Sequence, residues 1–170
     1  MITPDYCRTM ARYNAWQNQQ LFDALETVPL ETLTQGRGAF FGSILGTLNH
    51  VLWGDQIWMS RFDPSVQPPD GGIVDSAALY PTLGAWSAAR FHMDGKIRHW
   101  AETLRALNLT GPLHWHSAAA GREMSAPISL CVAHMFNHQT HHRGQVHAMI
   151  TAAGLTAPVT DLFLMPEFAE

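Results

Sequence analysis

The chain has 170 residues, a formal net charge of −4, 46% hydrophobic residues and only 14% charged ones. Ordinary domains carry about 25% charged residues, so the sequence reads as one globular domain over residues 1–170, with a sizeable core and a sparsely charged surface suited to a homodimer. Ten basic residues against fourteen acidic ones exclude the cationic stripe that grips nucleic-acid phosphates, and no window approaches the ~18 uninterrupted apolar residues of a membrane span.

The amino terminus, Met1-Ile-Thr-Pro-Asp-Tyr-Cys-Arg, has no apolar signal core, and the two cysteines, Cys7 and Cys131, are far apart. Both features predict a reduced, cytoplasmic protein rather than a disulfide-stapled secreted one.

Helical periodicity marks four long stretches. The first covers about residues 4–28, with Met10, Asn14, Leu21, Leu25 and Val28 on one face and Pro29 as its stop. The second covers about 39–62, where Ile44, Thr47, His50, Val51, Gly54, Ile57 and Trp58 share a broad face and Asp63-Pro64 ends it. The third opens at Pro81, a favoured first-turn residue, and continues through Trp86, Arg90, Ile97, Ala101, Leu104 and Leu107. Leu113-His114-Trp115-His116 and Arg122-Glu123-Met124 then flank an Ala/Gly-rich turn and read as a short β-hairpin. The fourth helix opens near Pro127 and stops at Gly154. A short connection after the first helix permits an antiparallel neighbour, whereas residues 63–80 are long enough to cross back along the bundle. The fold class is therefore all-α: a mixed-direction four-helix bundle with a small hairpin before its last long helix.

Histidine is the compositional anomaly: five of the ten, His134, His138, His141, His142 and His147, fall in the fourth helix. At about 100° per residue, with His138 at zero, Cys131 and Met149 lie at roughly +20°, His142 at roughly +40° and Met135 at roughly +60°, so His138 and His142 sit in the apolar stripe. His134 and His141 fall at its margin, and His147 points to the opposite side. Imidazoles at i and i+4 have β-carbons ~5–6 Å apart and can converge on one divalent ion with metal–nitrogen distances near 2.0–2.1 Å. Bundles complete such sites with inward side chains from facing helices. His50 is the best third candidate, because it lies inside the second helix with Gly46 and Gly54 a turn away on either side, as if room were kept around it. Burying several neutral imidazoles without partners costs a few kcal/mol each, which makes shared coordination the cheaper arrangement.

Other residues divide between structural and functional readings. His92, His99, His114 and His116 read as exposed or locally bonded, although His116 could reach the site from the hairpin. Asp55 is a candidate to orient an imidazole but points partly away at i+5. His141 could shuttle protons, support a ligand or replace one. Arg143 reads as structural, pairing with a carboxylate on a neighbouring helix. Trp16, Trp53, Trp58 and Trp86 read as packing residues. No general acid or base is identifiable, and no HExxH pattern is present.

The segment His134-Met-Phe-Asn-His138-Gln-Thr-His-His142-Arg-Gly-Gln145 resembles the fourth-helix signature of the DinB/YfiT-like family of metal-dependent enzymes, which is unrelated in chemistry to the DNA polymerase sharing the name. The likeness extends through Tyr13-Asn14-Ala15-Trp16-Gln17-Asn18, Leu48-Asn49-His50-Val51-Leu52, the hairpin with Gly121 and Asp161-Leu162. What the resemblance implies is an up-down-down-up bundle, frequently homodimeric, holding a divalent metal (Zn, Ni, Mn or Fe) on His50, His138 and His142. Relatives in the superfamily include thiol-dependent S-transferases and a thiol-dependent isomerase. The resemblance thus implies a small-molecule substrate, a low-molecular-weight thiol partner and thiol transfer to an electrophile. A metal-dependent hydrolase, a non-catalytic metal-binding stress-response protein and a purely structural bundle are the competing readings.

Overall fold

In the computed structural model, which describes residues 2–118 and 120–166, hydroxyl side chains open three of the four long helices. The elements in order are α1 (Pro4–Leu25), the short α2 (Leu30–Thr34), α3 (Ile44–Phe62), α4 (Leu83–Thr103), the strands β1 (Pro112–Ser117) and β2 (Arg122–Pro127), and α5 (Ile128–Ala152). Thr3, Ser43 and Thr82 each accept a hydrogen bond from the backbone N–H three residues on, so α1, α3 and α4 begin with one of their free donors satisfied. β2 runs directly into α5, with Pro127 as the shared residue.

Four helix boundaries differ from the periodic reading, one of them the start of α4, which Thr82 caps so that the helix opens at Leu83 and Pro81 lies outside it. α1 ends at Leu25, and residues after Pro29 form α2, a separate turn too short to show a period. α3 starts at Ile44 rather than near Ala39, because Ser43 caps it and residues 39–42 close a tight bridge turn with Gly42 at φ +79°. α4 stops at Thr103: the Asn108 side chain accepts from the Arg105 N–H at 2.9 Å and recasts Ala106–Leu109 as a 3-10 turn. This leaves Leu107 exposed and puts Leu109 inside. The hairpin is antiparallel, with Trp115 opposite Met124, and α5 stops short of Gly154, whose φ of +74° suits the helix exit.

Side-chain pairings settle helix direction. Along α3 and α4, Leu48 meets Trp86 and Asp55 meets Arg90, so both positions increase together and the helices are parallel. α1 and α5 are likewise parallel, since Tyr6 meets Phe136 and Asn14 meets Arg143. α3 and α5 are antiparallel, with His50 beside His142 and Trp58 beside His134. The order is up-down-down-up, and the crossover through the Ser76–Ala78 turn makes the two down helices possible.

The core is built from Leu25, Ile44, Leu52, Trp86, Ile97, Met135, Phe136 and Ile150, each at most 1% exposed. Burying each side chain of this kind contributes roughly 1.5–3 kcal/mol. Trp86 takes the packing role read from the sequence, and its indole N–H donates to the Leu48 carbonyl at 3.0 Å. Through this apolar interior runs a polar seam. Arg90 lies 2.6 Å from Asp55 and 2.9 Å from Asp94, Gln139 donates to Asp55 at 2.8 Å, and Asn14 and Asn18 donate to Asp94 at 3.0 and 3.1 Å. Burial pushes both carboxyl groups up, while Arg90 pulls them down. Arg143 donates to the Asn14 carbonyl oxygen and lies over the Tyr13 ring at 5.5 Å. Its expected carboxylate contact is therefore indirect, through Asn14. No helix among the described residues is long and apolar enough to cross a membrane.

Candidate metal centre

Antiparallel packing of α3 on α5 brings His50, His138 and His142 together, with one ligand atom from each within 4.8 Å of the others. The Nε2 atoms of His50 and His138 are 3.0 Å apart. Metal–nitrogen bonds of 2.0–2.1 Å at angles of about 90–109° place two ring nitrogens about 2.9–3.4 Å apart, so this pair already has the spacing of cis ligands. Across α5, His142 is buried and His138 half-buried, while His134 and His141 are exposed, in agreement with the helical wheel.

The surrounding groups orient two of the rings. The Ser76 hydroxyl donates to the Ile73 carbonyl at 2.7 Å, so its oxygen is left to accept from His50 Nδ1 at 2.9 Å. The Gln145 carbonyl oxygen accepts from His142 Nδ1 at 2.7 Å. Each outer nitrogen thus carries the proton, and each Nε2 lone pair is free for a shared ligand. His138 has no such outer partner: its Nδ1 is buried without a hydrogen bond, and its Nε2 faces that of His50. Phe41 stacks on His50 with ring centroids 3.5 Å apart and planes 15° from parallel, and Trp53 lies nearly parallel to the same ring at 5.9 Å.

Neither glycine simply clears space for the His50 ring. A Cβ on Gly54 would stand 2.7 Å from His138 Cε1, so Gly54 admits His138 from the facing helix rather than clearing space for His50. A Cβ on Gly46 would collide with the Phe41 carbonyl oxygen, so Gly46 admits the loop that carries Phe41 onto His50. Asp55 orients no imidazole, because its oxygens are taken by Arg90 and Gln139 in the buried seam. His116 stays on the hairpin surface, 2.9 Å from Glu123, and does not reach the site. His141 stands beside His142, where its Nε2 is 3.4 Å from the Gln145 amide nitrogen.

Burial lowers the pKa of His50 to about 4 and of His138 to about 3, with neighbouring imidazoles adding to the depression, His142 foremost. His142 is lowered too, chiefly by burial. All three are therefore neutral at pH 7, the form in which imidazole ligates metals. The ordinary histidine value is 6.5, so an unfolded chain binds more protons than the folded one between there and pH 3–4. Stability is full above pH 6.5 and falls as the pH drops through that window. Urea midpoints of metal-free protein should decrease steadily from pH 7 to 5, and His138→Ala should flatten that slope. An unchanged slope in the variant would contradict the assignment.

Two supporting residues carry no period the sequence reading could use. Ser76 lies in the crossover and Phe41 in a loop. Gln145, three residues after His142 on one helix, had a readable spacing. Outside the cluster, a groove of about 500 Å³ between α1 and α4, lined by Trp16, Trp86, Arg90 and Asp94, contains none of the three histidines.

The DinB family model matches residues 1–170. The chain belongs to the DinB family. Protein DinB of Bacillus subtilis (strain 168) is 29% identical over 164 residues, covering 92% of this chain and 91% of the relative. A crystal structure of a DinB-like protein from Bacillus cereus ATCC 10987 shares the fold with a TM-score of 0.64 at 21% identity, covering 86% of this chain and 90% of that one. Family membership, the bundle with its hairpin and the three-histidine cluster are together compatible with a metal-binding protein.

Proposed function

We propose that His50, His138 and His142 ligate one divalent cation, with Zn, Ni, Mn and Fe as the candidates, and that the open site supports thiol transfer to an electrophilic small molecule. The observation that carries the metal assignment is the pair of outer hydrogen bonds to Ser76 and Gln145, which leave two inner lone pairs converging beside a third imidazole. Three protein ligands leave at least one position open, unlike a closed structural zinc site. A divalent ion bound there supplies a Lewis acid that lowers the pKa of a ligated water or thiol and polarises an electrophile. The chain's own part is to keep the protons on the outer nitrogens, to hold three neutral rings in place and to shield His50 with Phe41.

Removing either outer partner should weaken the site without dismantling it. Ser76→Ala and Gln145→Leu are expected to lower metal affinity about 10–100-fold, the usual cost of losing a group that orients a ligand. Isothermal titration of tag-free protein with Zn²⁺ checks this, and unchanged affinity in both variants would remove the orienting role.

Turnover separates this reading from a hydrolase and from a non-catalytic metal-binding protein. A screen of low-molecular-weight thiols against activated electrophiles should show conjugation that disappears in His50→Ala and His138→Ala while circular dichroism stays unchanged. Ester or amide cleavage without thiol would favour the hydrolase. Metal-dependent stabilisation with no turnover would favour the binding role. The sparse charge of the sequence supports a homodimer, which mass measurement in solution tests.

A further inference from the structure

About two turns of α3 beyond Gly54, towards its carboxyl end, a cation stands without a counter-ion. Arg61 makes no hydrogen bond or ion pair among the described residues, and its guanidinium carbon lies 4.5 Å from the Trp58 ring centre and 5.4 Å from that of Trp115. The titratable groups that feel it are neutral: burial raises the Cys131 thiol and lowers His134. The α3 terminus favours any cation through its dipole, and the guanidinium also contacts an indole from the helix and another from the hairpin, their planes 66° apart. Such contacts hold the side chain and leave its N–H donors, which no described residue accepts from, for a planar oxyanion.

This seat is continuous with the histidines. The His138 ring is 5.9 Å from His134, His134 is 5.1 Å from Trp58, and Trp58 carries Arg61. His138 packs against Gly54, and seven residues of helix at 1.5 Å each put Arg61 about 10 Å further along α3. We infer that Arg61, packed against Trp58 and Trp115, is a carboxylate-binding subsite that selects ligands carrying a metal-binding head and a carboxylate displaced about two helical turns along α3. The inference rests on the three-histidine metal site proposed above and adds the substrate class to it. Of this strip, His134 is exposed and Arg61, Trp58 and Trp115 are half-buried, so an extended ligand can lie along it.

The test uses the full chain loaded with Co²⁺ and follows the thiolate-to-cobalt absorption band on titration with mercaptooctanoate and the length-matched mercaptooctanol. In the wild type the acid should bind about tenfold tighter than the alcohol, as expected for a charge-assisted pair. Arg61→Met, which keeps the stem on the indoles, should abolish that preference while leaving the affinity for the alcohol and for Co²⁺ unchanged. Arg61→Lys should restore part of it. Mercaptoacetate, too short to span the strip, should show no Arg61 dependence. Equal affinities for acid and alcohol in the wild type, or a preference surviving in Arg61→Met, overturns the subsite and leaves the metal site standing. Failure to retain Co²⁺, or no thiolate band with either probe, overturns the metal site and this inference with it.

Discussion

Replacing His138 with alanine is expected to lower divalent-metal affinity by more than about 100-fold, beyond the range seen when only an orienting partner is lost. His138 closes the cluster: its Nε2 is 3.0 Å from that of His50, and its ring centre is 5.0 Å from that of His50 and 4.4 Å from that of His142. Helix content should not change, since alanine is the best helix former and His138 makes no outer hydrogen bond. The metal-free variant should also resist acid better, because it no longer buries a ring whose pKa is near 3. Metal content after dialysis of tag-free protein against Zn²⁺, together with titration calorimetry, measures the effect. Full occupancy in the variant would refute the ligand assignment. Gly54→Ala offers a complementary result: all three ligands remain, yet the new Cβ would lie 2.7 Å from His138 Cε1 and must push the ring out of register. Its affinity should fall while its helices persist.

The largest stability effect should come from Arg90. Its guanidinium sits between Asp55 and Asp94, with its side chain 3% exposed, and replacing it by methionine leaves two carboxylates facing each other in the core. Breaking a buried ion pair by removing one partner costs about 3–5 kcal/mol. For a domain of this size that is a loss on the order of 10 °C in melting temperature. The sign is not trivial, because methionine packs well and adds apolar burial, but it cannot satisfy the carboxylates it exposes to each other. Thermal unfolding by circular dichroism decides the matter. A melting temperature within a degree or two of wild type would show that the seam is dispensable. Asp55 and Gln139, one on α3 and one on α5 next to His138, tie this seam to the metal cluster, so the same variant should also loosen metal binding.

The balance between what could and could not be read in advance has a consistent cause. His138 and His142 stood out because one helix carries both, and the helical wheel depends only on sequence spacing. The buried placement of Asn14 and Arg90 followed from the same periodicity, but their shared partner Asp94 did not, because pairing between helices has no sequence period. Gly46 and Gly54 read as room around His50, but Gly54 admits His138 from the facing helix and Gly46 the backbone carbonyl of Phe41, because which element approaches a glycine has no sequence period. Asp55, near His50 in sequence but pointing partly away at i+5, orients no imidazole, because Arg90 of α4 takes its charge.

From its order of residues alone, this chain determined four amphipathic helices, the hairpin and the histidine pair on α5, because those features arise from local geometry and repeat every turn. Folding in three dimensions decided the rest. It set His50 against that pair, drew Ser76 from a crossover and Phe41 from a loop onto the same ring, and placed Trp58 and Trp115 around Arg61. These contacts join residues from separate elements, and only the packing of α3 on α5, with the hairpin folded alongside, brings their side chains within reach.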